Sequence, residues 1–381
     1  MRHFDHLSAL DKDRLFHRLP EPFARDDAPG TLAVALGATL YLPATRPTLA
    51  ADIVKCGARG VTSMVVCLED SIADHEVGDG EDNLVRQLRS LPDEVPMLFI
   101  RVRNPDQIPQ LVSRLGGAAE RVSGFVLPKF TAGHGEAFLD ALADTAGTAG
   151  LRLFAMPVIE SREAIYREIR VSTLLDVARL LDKHRDRVLA VRLGATDLSS
   201  HYGLRRPREL TIYDVLPVAE VISDVVNIIG RMDGSGFTVT GPVWEYFLGG
   251  ARMFKPQLRE TPFVEHDAPG LRQRLITADL DGLIREVHLD KANGLTGKTV
   301  IHPSHVAAVH ALSVVTNEEY CDAADVLGRA GGVRASSYRN KMNEVKPHTA
   351  WAERIMSRAR VFGVAAEGVT FVDFLSAEGV R

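Results

Sequence analysis

The sequence predicts an α/β fold, a (β/α)8 barrel followed by a C-terminal helical extension. Eight short apolar runs alternate with amphipathic stretches between residues 39 and 302. The runs are continuous, as in strands buried on both faces of a parallel sheet. Their combined span suits a barrel of this kind, which typically needs about 250 residues. An open doubly wound sheet would usually show a glycine-rich first turn, and residues 43–47 contain no glycine.

The alternation predicts where each element lies. Strands are predicted at residues 39–43, 63–68, 97–102, 124–128, 153–160, 188–197, 237–240 and 298–302. Helices are predicted at residues 8–18, 48–57, 81–91, 215–230, 283–291, 318–329 and 351–362. In the second of these helices, Leu49, Ile53 and Cys56 share one face, and Gly57 provides a stop.

Three regions are expected along the chain. Residues 1–30 carry many charges and prolines and form a predicted N-terminal extension. Residues 31–312 form the barrel, with an insertion at 249–281 that is long for a strand-to-helix connection. Because it follows the seventh strand, this insertion is predicted to cover the catalytic face. Residues 313–381 form the C-terminal helical extension, with loop or linker expected at 331–332 and 336–348.

Composition and charge argue against several classes of protein. The 381 residues are 45% hydrophobic and 25% charged, which is ordinary for a soluble globular protein. A formal net charge of -5 gives no attraction to nucleic acid or to anionic lipid. No apolar run approaches the ~18 residues of a membrane span. The three cysteines, Cys56, Cys67 and Cys321, lack zinc or disulfide spacing, so a reduced cytoplasmic protein is expected.

Two of the apolar runs end in a carboxylate, Glu160 in one and Asp197 in the other. A half-buried carboxylate is costly without a partner. Two of them on neighbouring strand ends suit Mg²⁺, which binds one or two protein carboxylates and keeps positions open for water and substrate. Such a metal would act as a Lewis acid on a chelating 2-oxo or 2-hydroxy acid. The alternative is that each acid pairs with an arginine at a strand end.

Other polar residues follow the remaining strands, on the face where barrel active sites lie. Arg101 is expected to clamp a substrate carboxylate or a developing enolate, or else to form an ion pair in the barrel core. Glu69 and Asp70 are adjacent, so mutual repulsion would raise the pKa of one of them. That member would serve as general base or hold metal-bound water, unless it only caps the following turn.

Three further strand-end residues, Arg46, Lys129 and His302, are predicted to contact substrate. Lys129 either binds a carboxylate of the substrate or pairs with a strand-end acid. His302 has neighbouring histidines but no cysteine or carboxylate partner for zinc, so an orienting role is expected for it.

Two segments raise the question of phosphate binding. The arginines of residues 203–208 either hold the phosphates of a large substrate, such as a coenzyme A thioester, or form a solvated basic loop. Residues 294–299 are similar to a phosphate loop, but that motif needs a glycine where Ala292 stands and should follow a strand. A nucleotide-binding protein is therefore not expected.

The strand-end residues occur in motifs that together resemble the citrate lyase beta subunit branch of the HpcH/HpaI aldolase family. In chain order, the motifs are Leu42-Pro43-Ala44 with Arg46, Leu68-Glu69-Asp70-Ser71, Arg101-Val102-Arg103-Asn104, Val126-Leu127-Pro128-Lys129, Val158-Ile159-Glu160-Ser161, Gly194-Ala195-Thr196-Asp197-Leu198 and Gly297-Lys298-Thr299-Val300-Ile301-His302-Pro303-Ser304. The resemblance covers residues 39–316, and the last motif is especially specific.

This resemblance implies a barrel with a divalent metal, usually Mg²⁺ or else Mn²⁺, on Glu160 and Asp197, with Arg101 on the substrate. It implies reversible carbon–carbon cleavage or condensation through an enolate, often of coenzyme A thioesters, in trimers or hexamers. Cys67 departs from the family, which usually has an acid there. The insertion and the tail resemble a divergent subgroup of carbon–carbon bond lyases found beside bacterial tellurium-resistance and stress genes.

The predicted function is therefore a Mg²⁺-dependent lyase or aldolase for a 2-oxo acid, a 2-hydroxy acid or an acyl-CoA. Arg101, Glu69 and Asp70 are its predicted catalytic residues. The alternative is a non-catalytic barrel that binds metal and ligand and acts as a sensing or assembly subunit in a stress-response complex. Turnover with any 2-oxo acid or thioester would exclude that alternative.

Overall fold

The computed structural model describes residues 1–247, 256–328 and 331–379, and eight parallel strands in them form a barrel. The strands are β1 (Ala38–Pro43), β2 (Ser63–Cys67), β3 (Met97–Arg101), β4 (Val122–Leu127), β5 (Phe154–Ile159), β6 (Arg192–Leu193), β7 (Gly241–Trp244) and β8 (Lys298–Val300). Their order in the sheet is β6-β5-β4-β3-β2-β1-β8-β7. The barrel closes through a parallel bridge between Val191 and Val239. The predicted fold class is confirmed.

The pairing of the strands brings their carboxyl ends to one level. Pro43 at the end of β1 pairs with Cys67 at the end of β2, and Cys67 pairs with Arg101 at the end of β3. Every residue of β2, β4 and β5 is buried, as expected for strands covered on both faces. The polar residues that follow these strands therefore meet at one rim of the barrel.

The predicted seventh strand is wrong in position. Residues 237–240 close the barrel through backbone bonds, in which Val191 N donates to Thr238 O and Thr240 N donates to Val191 O. The paired strand β7 begins at Gly241, where a Cβ would lie 2.6 Å from Asp290 Oδ2 and 2.8 Å from Gly297 O. Only glycine fits this close approach. In the sequence such a glycine suggests a turn, but in the structure it begins strand β7.

Helices surround the barrel, with shorter ones in its loops. Those of the barrel region are Pro29–Ala35, Leu49–Gly57, Val77–Arg89, Gln107–Leu115, Ala132–Ala149, Arg162–Ile165, Arg167–Lys183, Ala195–Ser200, Leu216–Ile228, Thr261–Glu265, Pro269–Thr277, Leu280–Ala292 and Ser304–Ser313. Short 3-10 helices lie at Asp74–Glu76, Gly116–Arg121 and Ile212–Asp214. Residues 248–255 of the predicted insertion lie outside the described residues. Among the helices that the structure describes, none has the length and apolar character needed to cross a membrane.

The first residues of the chain pack against the last helical region. The helix predicted at 8–18 spans Ala9–Leu15, because Phe16–Arg18 instead forms a strand antiparallel to Val364–Ala365. Leu15 and Phe16 are buried in the main core. The helical region beyond the barrel contains Asn317–Leu327, Val345–Phe362 and Phe371–Ala377.

The loop or linker predicted at 336–348 is wrong for much of its length. A hairpin of Val333–Ala335 and Met342–Glu344 lies there, and the following helix begins at Val345. Asp322 holds this hairpin, because its buried Oδ1 accepts hydrogen bonds from Ser336 Oγ at 2.6 Å and from Asn343 Nδ2 at 2.8 Å. In the sequence, Ser336 and Asn343 look like linker residues. Their shared partner Asp322 lies outside the hairpin, in helix Asn317–Leu327, so the local sequence does not reveal the contact.

Two buried histidines, His3 and His310, join the first residues of the chain to the end of the barrel at which β1 begins, which we call the barrel floor. His3 Nε2 lies 3.1 Å from Ala35 O, and the His3 ring stacks on Phe362 with ring centroids 4.1 Å apart. His310 Nε2 accepts a hydrogen bond from Ala38 N at the start of β1. Burial lowers the pKa of His3 to about 3 and lowers that of His310 well below 6.5.

We expect the His3→Phe variant to lose part of the acid sensitivity of folding. The folded-state pKa of His3 is depressed, so between pH 6.5 and about 3 the unfolded chain binds a proton that the folded chain does not. Folding stability therefore falls as pH decreases, by about 1.4 kcal/mol per pH unit for this residue. Urea unfolding at pH 6.5 and pH 5 should show a loss about 1.6 kcal/mol smaller in the variant than in wild type, because His3 of the unfolded chain is already half protonated at pH 6.5. Exposed His75, replaced by Phe, is the control; an equal change there would contradict the assignment to burial.

Candidate active site

Five charged side chains meet at the rim formed by the ends of β2 to β5. Arg101 lies at their centre, since its Nη2 atom is 2.6 Å from Glu69 Oε2, 2.9 Å from Glu160 Oε1 and 3.2 Å from Asp70 Oδ2. Lys129 Nζ completes the group at 2.9 Å from Glu69 Oε1. In the structure, Arg101 thus forms the core ion pairs that were one of its two expected roles. Burial opposes its charge, but the nearby acids hold the Arg101 pKa above its ordinary value.

Glu160 follows β5 and is 1% exposed. Its Oε1 atom accepts hydrogen bonds from Arg101 Nη2 and from Lys129 N, both at 2.9 Å. Its Oε2 atom is buried and has no hydrogen-bond partner among the residues that the structure describes. Burial raises the pKa of Glu160 to about 7, with Asp197 adding to the shift and Arg101 opposing it. A buried carboxylate oxygen with no donor is a position at which a cation would offset the loss of hydration.

Asp197 lies in the first turn of the short helix Ala195–Ser200, directly after β6. Its negative charge contributes, after burial, to the raised pKa of both Glu160 and Asp70. Within the described residues, no set of three or more His, Cys, Asp or Glu side chains is arranged to hold a metal ion. Two carboxylates are a sufficient protein contribution for Mg²⁺, so Glu160 and Asp197 fit that ion.

Gly194 leaves the space that the Glu160 side chain occupies. A Cβ at position 194 would lie 2.1 Å from Glu160 Oε2 and 2.5 Å from Glu160 Cβ. The backbone of Gly194 has φ −94°, which any residue can adopt, so the requirement for glycine is steric alone.

We expect Gly194→Ala to displace Glu160 and to lower the free energy of unfolding by about 1–3 kcal/mol, the usual range for overpacking. Any stabilisation by Mg²⁺ should disappear with it. Gly147→Ala is the matched control, because Gly147 lies in helix Ala132–Ala149. An alanine Cβ there would have no described atom of another part of the chain within 4 Å. There, alanine should raise stability by about 0.5–1 kcal/mol. Urea unfolding with and without Mg²⁺ measures both effects, and a Gly194→Ala protein identical to wild type would contradict the steric assignment.

The adjacent carboxylates Glu69 and Asp70 differ in environment. Glu69 is buried, which opposes its ionisation, but Arg101 and Lys129 more than compensate and hold its pKa below the ordinary value. Asp70 has a side chain that is 52% exposed. Burial of its remaining part and the neighbouring Glu69 raise the pKa of Asp70 to about 6. Glu69 therefore stays ionised, whereas Asp70 can gain and lose a proton near neutral pH.

Two predicted site residues lie apart from this cluster. The Arg46 guanidinium pairs with Asp52 of the following helix. The His302 ring stacks on Phe247 with ring centroids 4.7 Å apart, and its Nδ1 lies 2.7 Å from Ser304 Oγ. No contact with the acid cluster is described for either side chain. Of the other six predicted residues, five form the cluster and the sixth, Asp197, lies close enough to raise the pKa of Glu160. The five are Glu69, Asp70, Arg101, Lys129 and Glu160.

Arg192 in β6 was missed as a residue of interest. It is 1% exposed, inside the barrel, and its Nη2 donates to Thr299 Oγ1 at 2.6 Å. Its guanidinium lies 5.6 Å from the centre of the Tyr41 ring. Within the described residues no carboxylate pairs with it. The signal was present in the sequence, because this arginine interrupts the apolar run that leads to Asp197.

Two of the three arginines in the run at 203–208 form ion pairs, so the run is not merely the solvated basic loop that was one of its two expected explanations. Arg206 is buried and pairs with Glu286 and Glu245. Arg208 Nη1 lies 3.1 Å from Asp279 Oδ2. Arg205 is the exposed arginine of the run.

Comparisons with known proteins agree with this fold. A family model described as C-C bond lyase of the TIM-barrel fold matches residues 30–364. Citrate lyase from Burkholderia xenovorans LB400 is similar in structure, with TM-score 0.60, 17% identity, and coverage of 89% of this chain and 96% of that one. No curated protein sequence matches.

Two further solved structures contain ligands. CitE from Mycobacterium tuberculosis, in complex with magnesium, acetoacetate and coenzyme A, has TM-score 0.55 and 19% identity over 86% of this chain and 99% of that one. Haloferax volcanii malate synthase, in a magnesium/glyoxylate complex, has TM-score 0.50 and 16% identity over 71% of this chain and 73% of that one. At these identities the likenesses show the barrel fold.

A closed parallel barrel with a charged cluster at the carboxyl ends of its strands defines the class of (β/α)8-barrel enzymes. Within that class, the chain belongs to the family of carbon–carbon bond lyases. The predicted enzyme class and the predicted resemblance to this family are confirmed. The alternative of a non-catalytic subunit is not favoured.

Proposed function

We propose that this protein is a Mg²⁺-dependent lyase or aldolase that cleaves or forms a carbon–carbon bond in a 2-oxo or 2-hydroxy acid, free or as a coenzyme A thioester. The observation that carries the proposal is the buried, unpartnered Oε2 atom of Glu160 at the catalytic rim. The second acid, Asp197, is close enough to shift the Glu160 pKa. Family membership supplies the reaction class.

Glu160 and Asp197 would hold the ion, and Mg²⁺ or Mn²⁺ bound there would act as a Lewis acid on a substrate oxygen. Holding the ion also requires Gly194, which makes room for the Glu160 carboxylate. Arg101 and the backbone N–H of Lys129 fix Glu160 Oε1, so that Oε2 remains directed away from them. These contacts orient the site before substrate arrives, which lowers the cost of assembling it.

The chain's own residues then bind substrate and move protons. Arg101 presents a guanidinium that is always charged and can donate to a substrate carboxylate or to an enolate oxygen. In the cleavage direction, Asp70 accepts the hydroxyl proton directly or through one water, since its pKa of about 6 suits proton transfer near neutrality. Ionised Glu69 holds Lys129 and Arg101 in place. Arg46, Lys129 and His302 are proposed to contact the outer part of the substrate.

A coenzyme A thioester substrate and a homo-oligomer, a trimer or a hexamer, belong to the same proposal, as does a cytoplasmic location. Support for the thioester comes from the similar fold of the protein solved with acetoacetate and coenzyme A. The pairing of Arg206 with Glu286 leaves exposed Arg205 as the candidate for a phosphate contact in that loop.

The test is turnover of a substrate panel by the full chain. The panel contains 2-oxo and 2-hydroxy dicarboxylic acids, each free and as a coenzyme A thioester, and products are identified by mass spectrometry with Mg²⁺ or with EDTA. We expect carbon–carbon cleavage of at least one compound with Mg²⁺ and none with EDTA. A folded protein that binds Mg²⁺ and oxalate but turns over no compound would instead support the sensing or assembly subunit. Metal-independent cleavage would contradict the proposed site.

A further inference from the structure

Arg103 follows β3, two residues after Arg101, and its guanidinium lies against the loop that leaves β2. Its Nε atom donates to Leu68 O at 2.7 Å, and its Nη2 atom donates to Glu69 O at 3.2 Å and to Ile72 O at 3.1 Å. Three main-chain oxygens of one loop therefore share one guanidinium. The planar, rigid set of donors in arginine is suited to hold such a group of acceptors in fixed positions.

Two of the oxygens that Arg103 binds lie at the two ends of a tight turn. Ile72 N donates to Glu69 O at 3.1 Å, so residues 69–72 form a β-turn with Asp70 at its first central position. Asp70 N also donates to Glu69 Oε2 at 2.8 Å. The direction of the Asp70 side chain therefore depends on the backbone of this turn.

Packing does little to hold this loop. Within residues 70–75, only Ile72 is buried. Ser71 Oγ adds one hydrogen bond, to Cys67 O at 3.2 Å. Exposed segments with few buried contacts are the ones that open most easily in folded proteins. The bonds from Arg103 thus restrain the turn where apolar contacts supply little restraint.

Arg103 is itself held in place from the side of the next helix. Its main-chain N donates to Gln107 Oε1 at 2.6 Å, and the buried Gln107 donates from Nε2 to Glu81 Oε1 at 2.7 Å. The Arg103 Nη1 atom also lies 2.5 Å from Asp74 Oδ1, but the Asp74 side chain is 95% exposed. Such exposed ion pairs contribute little, so the main-chain bonds are the part of this arrangement that can fix the turn.

We propose that Arg103 is a positioning residue, which holds the turn at residues 69–72 so that Asp70 is directed at the substrate position beside Arg101. The inference rests on the proposed function, because it gives Arg103 a part in the proton transfer by Asp70. The Asp70 Oδ2 atom lies 3.2 Å from Arg101 Nη2, so a small movement of the turn would change this alignment. A displacement of about 1 Å can cost about a hundredfold in rate.

The kinetic test is a double-mutant cycle of Arg103→Met and Asp70→Asn in the full chain. The substrates are the panel of 2-hydroxy dicarboxylic acids and their coenzyme A thioesters, with saturating Mg²⁺. We expect Arg103→Met to lower kcat about a hundredfold and to change KM less than about threefold. In the Asp70→Asn background the same substitution should have almost no further effect, because its target is already absent. A merely structural role would lower the rate equally in both backgrounds.

Hydrogen exchange of residues 69–73, measured by mass spectrometry, tests the restraint of the turn without any turnover. Arg103→Met should speed this exchange about tenfold, as expected when bonds that hold an exposed segment are removed. Asp74→Asn removes the ion pair and keeps the main-chain bonds, so its exchange should match that of wild type.

Arg121→Met is the matched control. Arg121 has the same kinds of partner, since its Nε donates to Pro92 O at 3.1 Å and its Nη2 lies 2.7 Å from exposed Asp93 Oδ1. It lies directly before β4, at the other end of the strands. This variant should change neither the exchange of residues 69–73 nor kcat.

Arg103→Lys separates geometry from charge. Lysine keeps the positive charge but loses the planar set of donors, so it should recover little of the lost rate. Full recovery, unchanged exchange in Arg103→Met, or equal losses in both backgrounds of the cycle would each overturn the inference. If wild type turns over no compound, the proposed function fails, whereas faster exchange in Arg103→Met still supports the restraint of the turn. Should Arg103→Met not fold, Arg103→Lys takes its place in the cycle and in the exchange measurement.

Discussion

Glu160→Gln is expected to abolish the Mg²⁺-dependent binding of oxalate and to reduce turnover by about a thousandfold or more. A bound metal supplies several kcal/mol of charge stabilisation, and each 1.4 kcal/mol corresponds to a factor of ten in rate. Gln keeps the shape of the side chain but removes the negative charge at the buried Oε2 position. The remaining acid, Asp197, would then hold the ion alone.

Without metal, the same substitution should keep or raise the stability of the folded chain. The folded-state pKa of Glu160 is raised from 4.5 to about 7, so its stabilising contribution is lost as pH rises through that window. At pH 8 in EDTA, Glu160→Gln should therefore be as stable as wild type or more stable, by up to about 3 kcal/mol. A ligand site that is lost while stability is kept is typical of a functional residue held at an energetic cost.

Thermal-shift titrations with Mg²⁺, and then with oxalate, measure both effects. Glu163→Gln is the matched control, because Glu163 is an exposed acid in the neighbouring helix Arg162–Ile165 and undergoes the same chemical change. Its titrations should match those of wild type. If Glu160→Gln also keeps the full oxalate shift in Mg²⁺, the carboxylate at this rim is structural and the proposed metal site is wrong.

Lys298→Met should give the largest loss of stability, about 3–5 kcal/mol, the usual result of breaking a buried ion pair. Lys298 is buried and its Nζ atom lies 2.9 Å from Glu286 Oε1 and 2.6 Å from Asp290 Oδ2. Burial already raises the pKa of Asp290 to about 6, against the effect of Lys298. Without the ammonium group, Asp290 would take up a proton at neutral pH or remain as an unpaired buried charge.

Urea unfolding of Lys298→Met beside Lys183→Met makes this prediction specific. Lys183 pairs with Glu136 on the surface, where such a pair contributes only about 0–1 kcal/mol. Equal losses in the two variants would contradict the buried-network assignment. If Lys298→Met does not fold, Asp290→Asn reports on the same network, because Tyr213 and Lys298 both bond to that carboxylate.

Much of the fold could be predicted because most barrel strands can be recognised from their own residues. The continuous apolar runs predicted as strands at residues 39–43, 63–68 and 97–102 needed no long-range information, and the strands they form pair in parallel. The start of β7 was misplaced because Gly241 is required by a distant contact with Asp290, and local propensity contains no such contact. The hairpin near residue 340 was missed for the same reason, since Asp322 lies on another helix.

The membership of the candidate site was more predictable than its connections. The rule that carboxyl ends of barrel strands converge was enough to group Glu69, Asp70, Lys129 and Glu160. It could not say that Arg101 would pair with all three acids of this group, or that Arg46 would pair with Asp52 of the following helix. Such choices depend on differences of about an ångström between competing partners, and they decide which acid keeps its proton.

The pairing of Phe16–Arg18 with Val364–Ala365 has a consequence for how the chain is made. A ribosome releases the first of these strands long before it releases the second, so the early strand must wait without its partner. The barrel can collect its parallel pairs in order as they emerge, but the floor that contains His3 and Phe362 can assemble only near the end of synthesis. Contacts that join such distant residues are slow to form, and this floor should be the last part of the molecule to become protected from solvent.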